Sequence, residues 1–213
     1  MVAEMRSGVF LILLSMSLTP FGDALSKHLG ETQSPFFIVF LRYFVAGLIA
    51  VLLARLQRRR IALPQSGRGG VVLRTALVMG AMTLLIVALS LVPLANAVGG
   101  FLIAPIVATI ISVLFHQERL TLPRFGGAVI SFVGALLILG PDGSLDLGTG
   151  YALAGGVLLG AFLSFSRVAA NPVDPLSALA VQCLLGSMML FPLAAFHFGD
   201  LTLALFWPAI GLG

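Results

Sequence analysis

Three charged side chains stand where apolar residues dominate. Arg42 interrupts "PFFIVFLRYFVAGLIAVLLA", from Pro35 to Ala54, and Asp23 and Lys27 lie near the end of an earlier apolar run. A guanidinium near a bilayer interior costs from about 3 to more than 10 kcal/mol unless it reaches water or a partner. Asp23 and Lys27 are one helical turn apart and share a face. Asp23 falls about 7.5 Å below the helix end at His28, and Arg42 about 10 Å inside the start of its own helix, at 1.5 Å per residue. These similar depths predict an Asp23–Arg42 ion pair, or a network of both with Lys27, facing a wet cavity. Intramembrane charges of this kind mark substrate or ion pathways. The other reading is an ion pair that only fixes helix packing, and for Lys27 the favoured reading is an ammonium that snorkels to the interface. Asp23 is the only carboxylate at depth that could carry a proton. Asn96, in "NAVGG", either lines a cavity mouth or makes an interhelical hydrogen bond.

Chemistry of other kinds finds little support. The sequence holds no H-E-x-x-H, G-x-S-x-G or Walker A pattern, and His28, His116 and His197 fall in three separate connections without metal spacing. No nucleophile has an identifiable base, so an intramembrane hydrolase is disfavoured. The one cysteine, Cys183, lies in an apolar run, which leaves no disulfide framework and no metal site. Glu118 beside Arg119 and Arg124 reads as a local salt bridge or helix-end cap in preference to a proton site. No cofactor is called for.

Composition names the solvent. Hydrophobic residues make up 59% and charged residues 9% of the 213, where a globular domain carries about 25% charge. Mean hydropathy is +1.12. The chain reads as all-α, a multi-pass bundle of transmembrane helices with no soluble domain. Runs of about 17 to 25 residues are long enough to cross the hydrocarbon core. They are Gly8–His28, Pro35–Arg55, Val71–Val92, Leu94–His116, Pro123–Gly140, Thr149–Ala169 and Pro175–His197. An eighth run begins near Leu201 and stops at Gly213, so a fragment or truncated product of a longer protein is expected. Pro20 and Pro105 each remove a helical hydrogen bond and should kink their helices. "GVLLG" from Gly156 and the pair Gly126–Gly127 should allow close helix contact. A cleaved signal peptide, with Ala24 and Ser26 as weak cleavage-site residues, is the minor reading of the first run.

The pI near 10.2 reflects cytoplasmic retention of Lys and Arg, not nucleic-acid binding. With alternating helices, Arg6, Arg55, Arg58, Arg59, Arg60, Arg68, Arg74, Arg119, Arg124 and Arg167 map to one side. The opposite connections contain Glu31, Asp142, Asp146 and Asp200 and no Lys or Arg. The amino terminus is expected in the cytoplasm and the protein in the inner (plasma) membrane.

An internal repeat is visible. "GVFLILLSMSLTPFGDALSK" from Gly8 aligns with "GYALAGGVLLGAFLSFSRVA" from Gly150, and "PFFIVFLRYFVAG" from Pro35 with "PLSALAVQCLLGS" from Pro175. That alignment places Arg42 opposite Gln182 and Gly47 opposite Ser187. Five helices per repeat force the second copy to enter the membrane upside down, the arrangement of secondary transporters whose substrate site lies between the halves. Gln182 would then sit as deep from one face as Arg42 does from the other.

Several passages carry a family resemblance: "KHLGETQSPFFIVFLRY", then "ALSLVPLANAVGGFLIAPIVATIISVLFHQERLTLPRFGGAVISFVGALLI" from Ala88 to Ile138, and "GYALAGGVLLGAFLSFSRV". In these the chain resembles the EamA-type transporters of the drug/metabolite transporter superfamily. The resemblance implies ten helices in two inverted five-helix repeats, with residues 1–140 as the first repeat and 149–213 as the start of the second. Phe165 departs from the tryptophan that many members carry. It further implies a secondary transporter of small organic metabolites, with outward movement of amino acid-like solutes foremost and uptake of a nucleotide-like or vitamin-like metabolite second. Arg42, Asp23, Lys27, Asn96 and Gln182 are the pathway candidates. Expected partners are a small-molecule substrate and the lipid bilayer, with a homodimer open. The reading from another class is a truncated, non-transporting membrane scaffold.

Overall fold

The computed structural model describes residues 17, 20–30, 33–59, 61, 68–116, 122–139, 146–168 and 174–195. All the elements among them are helices. Helix α1 covers 20–29, followed by α2 (Pro35–Leu56), α3 (Arg68–Leu91), α4 (Leu94–Phe101), α5 (Ala104–His116), α6 (Leu122–Leu139), α7 (Leu147–Val168) and α8 (Pro175–Ala195). Among the described residues, five spans are long and apolar enough to cross a membrane: α2, α3, Leu94–Phe115, Leu147–Ser166 and α8. Any expected kink at Pro20, the Glu118–Arg119 cluster and the run from Leu201 involve positions outside the described residues, as do most of the first helix and the 31–32 connection.

Two helix pairs organise the bundle. Helices α2 and α8 run antiparallel: a side chain added at Gly47 would touch Cys183 and Leu184, one at Gly186 would touch Tyr43, and the rings of Phe40 and Phe191 lie 6.0 Å apart. Positions advancing along α2 retreat along α8. Phe37, Ile38, Val39 and Phe40 of α2 pack with Leu29 of α1, Met79 and Ile86 of α3, and Cys183, Leu190 and Ala194 of α8. At the cytoplasm-assigned end, Arg59 pairs with Asp174. The other Asp174 oxygen accepts the Ser177 N–H at 3.1 Å, capping the start of α8. A Schellman turn aims Arg59: its N–H bonds the Ala54 carbonyl, the Arg58 N–H bonds that of Arg55, and Arg58 takes φ 53°.

The second pair joins α3 to α7, also antiparallel, through Val92 against Gly148 and Leu84 against Gly155. Leu85, Ala88, Leu89 and Val92 form a buried cluster with Ala97 and Ala152. Small residues repeat every fourth position along α7: Gly148, Ala152, Gly156, Gly160 and Ser164. The stripe winds slowly round the helix, so that Gly148 meets the end of α3 while α4 and α5 lie along it from Ala152 onward. A Cβ at Gly156 would stand 2.6 Å from Ile103 and 3.0 Å from the Gly100 carbonyl, and one at Gly160 2.7 Å from the Ala104 carbonyl. Farther down, the buried hydroxyls of Ser112 and Ser164 are 3.1 Å apart.

That close approach explains a departure from expectation. The fourth span is not one kinked helix from Leu94 to His116 but two helices separated at Leu102–Ile103. Pro105 has no N–H to offer the Phe101 carbonyl, the Ile103 N–H turns back to Gly100 at 3.4 Å, and the Ile106 N–H bonds Ile103. The freed Phe101 carbonyl and the Gly100 carbonyl lie against Gly156 of α7, 3.1 and 3.0 Å from where its Cβ would stand, so a glycine is what admits backbone so near. At Gly126 and Gly127, by contrast, an added Cβ meets none of the described residues within 4 Å, so the close contact expected there is absent among them.

Gly160→Ala should lower thermal stability by about 1–3 kcal/mol through overpacking, read as unfolding of the detergent-solubilised protein, whereas Gly150→Ala, with no neighbour within 4 Å of its Cβ, should leave it unchanged or slightly higher. Arg58→Gly should raise stability by about 0.5–1 kcal/mol, because glycine adopts the left-handed conformation without a Cβ penalty.

Candidate functional site

Helix α1 carries two charged side chains on one face, and each ties it to a different neighbour. Toward α2, Arg42 Nη1 donates to Asp23 Oδ1 at 3.2 Å, with 20% of the Arg42 and 12% of the Asp23 side chain exposed. The predicted ion pair is thus present, held mostly out of solvent but not sealed. Gly22 provides room beside it, since a Cβ there would lie 3.7 Å from Arg42 Nη2. One turn along, Ser26 is buried and its hydroxyl donates to the Gly22 carbonyl at 2.8 Å, so the helix supplies its own acceptor.

Lys27 behaves differently from either sequence-based expectation. Its ammonium neither joins the Asp23–Arg42 pair nor merely snorkels: it donates to the carbonyls of Leu89 at 3.0 Å and Val92 at 2.8 Å. These oxygens belong to the C-terminal end of α3, which has no basic residue in its own last turn. A cation there satisfies orphan carbonyls and complements the helix dipole. The role leaves a sequence signal only in the pairing of a lysine with a helix end that lacks its own cation.

The other candidates are not gathered around the ion pair by any described contact. Asn96 is half-buried in the first turn of α4, its N–H bonded to the Pro93 carbonyl at 3.0 Å. Gln182 is half-buried on α8, on the Gly47 side of the antiparallel pair and beyond Cys183 from the Tyr43 level. Pro105 is exposed at the second position of α5, where its carbonyl accepts the Thr109 hydroxyl at 2.8 Å. Pro20 is exposed at the start of α1 as described. Asp174, overlooked as a site residue, had a readable signal: an aspartate directly before a proline that opens a helix.

An ion pair of this kind is two-sided. The guanidinium keeps donors beyond the one used by Asp23, and the carboxylate keeps acceptor positions. A ligand with its own carboxylate and ammonium can engage both without leaving either charge bare.

Comparison with known proteins locates this arrangement. The EamA-like transporter family matches residues 6–140. The chain is 27% identical over 90 residues to an uncharacterized transporter of Archaeoglobus fulgidus, covering 42% of this chain and 33% of the relative. It is 26% identical over 135 residues to the S-adenosylmethionine uptake transporter of Rickettsia conorii, covering 63% of this chain and 46% of that one. The chain thus spans less than half the length of either relative. One crystal structure shares the fold, with a TM-score of 0.64 at 16% identity, over 92% of this chain and 75% of the other.

Removing one partner strands the other charge. Asp23→Asn and Arg42→Gln are each expected to cost about 2 kcal/mol, and the double variant clearly less than the sum. Thermal unfolding of all four proteins measures the coupling, and additive effects would show that the pair contributes no interaction energy.

Proposed function

The chain belongs to the EamA-like transporter family, and from that premise we propose that it moves amino acid-like solutes outward across the cytoplasmic membrane as part of a secondary transporter. Its amino terminus lies in the cytoplasm in this reading, which the distribution of arginines supports under the positive-inside rule. Residues 1–140 form one repeat and 149–213 the start of an inverted second. The antiparallel course of α2 and α8 supports that division, because those two helices begin at the aligned prolines, Pro35 and Pro175. A two-fold axis in the membrane plane relates helices in that way.

The observation that carries the substrate class is the Asp23–Arg42 pair, 3.2 Å apart and still partly exposed. An α-amino acid offers a carboxylate to the guanidinium and an ammonium to the carboxylate. Exchange of one ion pair for two avoids the cost of stripping a charge bare inside the membrane. Asn96 and Gln182 serve in this reading as neutral polar groups along the path. Lys27 contributes by fixing α1 against α3 and so holding Asp23 in place.

A second reading is uptake of a nucleotide-like metabolite, favoured by the similarity to the S-adenosylmethionine uptake transporter. That substrate also carries an amino-acid end, so both readings use the same pair and differ in what else must fit and in direction.

Proteoliposomes holding the chain, offered labelled α-amino acids and labelled S-adenosylmethionine, should transport at least one of them. Arg42→Ala should reduce that flux by about tenfold to a hundredfold at constant protein. Undiminished flux in a folded Arg42→Ala protein would remove the pair from the pathway, and saturation by S-adenosylmethionine alone would select the second reading.

A further inference from the structure

Among the described residues, two buried side-chain polar atoms have no hydrogen-bond partner: Nε of Arg74 on α3 and Oγ of Ser166 on α7. Their positions are related. Val92 meets Gly148 where α3 and α7 cross at one end, and Arg74 lies eighteen residues before Val92 while Ser166 lies eighteen after Gly148. Eighteen residues make about five full turns and 27 Å, so each chain returns to the face that touches the other helix, and both arrive at one level. The α3 stripe between them is otherwise apolar and buried, through Val78, Ala81, Leu85 and Ala88.

Both residues are half-buried. A guanidinium and a hydroxyl that helix register brings to one level of the seam, one with an unpaired Nε–H and the other with an unpaired oxygen, carry a desolvation cost that protein groups usually relieve. The neighbouring hydroxyl of Ser164 is already engaged with Ser112. Arginine presents a fork of N–H donors that matches the two oxygens of a carboxylate or phosphate, and the serine hydroxyl adds a further donor.

The geometry points to an oxyanion-binding site at the cytoplasm-assigned end of the α3–α7 seam, with the Arg74 guanidinium as its principal donor and the Ser166 hydroxyl as its second. The ligand is a carboxylate or phosphate group, supplied by a cytoplasmic solute or by the headgroup of an anionic phospholipid. It stands apart from the Asp23–Arg42 pair and does not depend on the direction of transport.

The test measures binding and needs no transport. The chain is placed in nanodiscs of phosphatidylcholine and titrated with inorganic phosphate at constant ionic strength, with the melting temperature as readout. A parallel set contains phosphatidylglycerol and no phosphate. The wild type should be stabilised in at least one arm, and Arg74→Gln should need about tenfold more phosphate, or lose the response to phosphatidylglycerol. Arg55→Gln, at an exposed position, should respond like the wild type. A response to phosphate in neutral lipid identifies a soluble oxyanion as the ligand class, and a response to phosphatidylglycerol alone identifies the headgroup. The site is overturned if neither arm stabilises the wild type or if Arg74→Gln responds equally. Should that variant not fold, Ser166→Ala decides: weakening of about threefold supports the site, and an unchanged response overturns it.

Discussion

Hydrocarbon offers no water to a backbone N–H or carbonyl, and that constraint governs how this bundle is assembled. Helices satisfy themselves except at their ends and breaks, and at several of these places another group supplies what is missing. The end of α3 receives the Lys27 ammonium. The start of α8 receives an Asp174 oxygen. The break between α4 and α5 lies against glycines of α7, where backbone can come near enough to share its polarity. Hydroxyls inside the helices turn back on their own carbonyls, as Thr75 does to Val71 and Thr83 to Met79. Tertiary contacts in the bundle are therefore as much a matter of completing secondary structure as of filling volume.

The same economy governs the charges. Asp23 and Lys27 share one face of α1, yet they reach opposite kinds of partner, a guanidinium on α2 and carbonyls on α3. With both engaged, α1 is fixed in rotation as well as in height relative to the helices beside it. An isolated charge at either position would have found a less determinate place. The placement of the ion pair, mostly enclosed and slightly exposed, goes with this double attachment, since α1 cannot rotate the pair outward without breaking the Lys27 bonds.

Much of this architecture was legible in the sequence. The apolar runs Pro35–Arg55, Val71–Val92, Pro123–Gly140, Thr149–Ala169 and Pro175–His197 match the observed helices within a few residues, and similar depths from the helix ends point to the pairing of Asp23 with Arg42. What escaped were features that depend on two helices at once. Lys27 looked like a snorkelling cation because nothing along α1 announces that the end of α3 will arrive beside it. Pro105 announced a kink, but whether a proline bends a helix or divides it depends on whether a neighbour accepts the exposed carbonyls, and that property belongs to Gly156 some fifty residues later. Of the stripe Gly148, Ala152, Gly156, Gly160 and Ser164, only the Gly156–Gly160 pair stands out in the sequence as a small-residue contact motif. Gly126 and Gly127 show the converse: small residues permit close contact without requiring it.

The Arg59–Asp174 and Asp23–Arg42 pairs differ in one respect with physiological weight. Arg59 and Asp174 retain 46% and 27% of their side-chain exposure, so mobile ions reach them. The Debye length at cellular ionic strength is about 8 Å, and exposed pairs weaken as salt rises while enclosed ones change little. The Arg59–Asp174 contact between the end of α2 and the start of α8 therefore weakens as salt rises, while the apolar seam between those helices and the Asp23–Arg42 pair change little. Salt thus acts on one outer fastening of the bundle and spares its enclosed one, a difference that follows from burial alone.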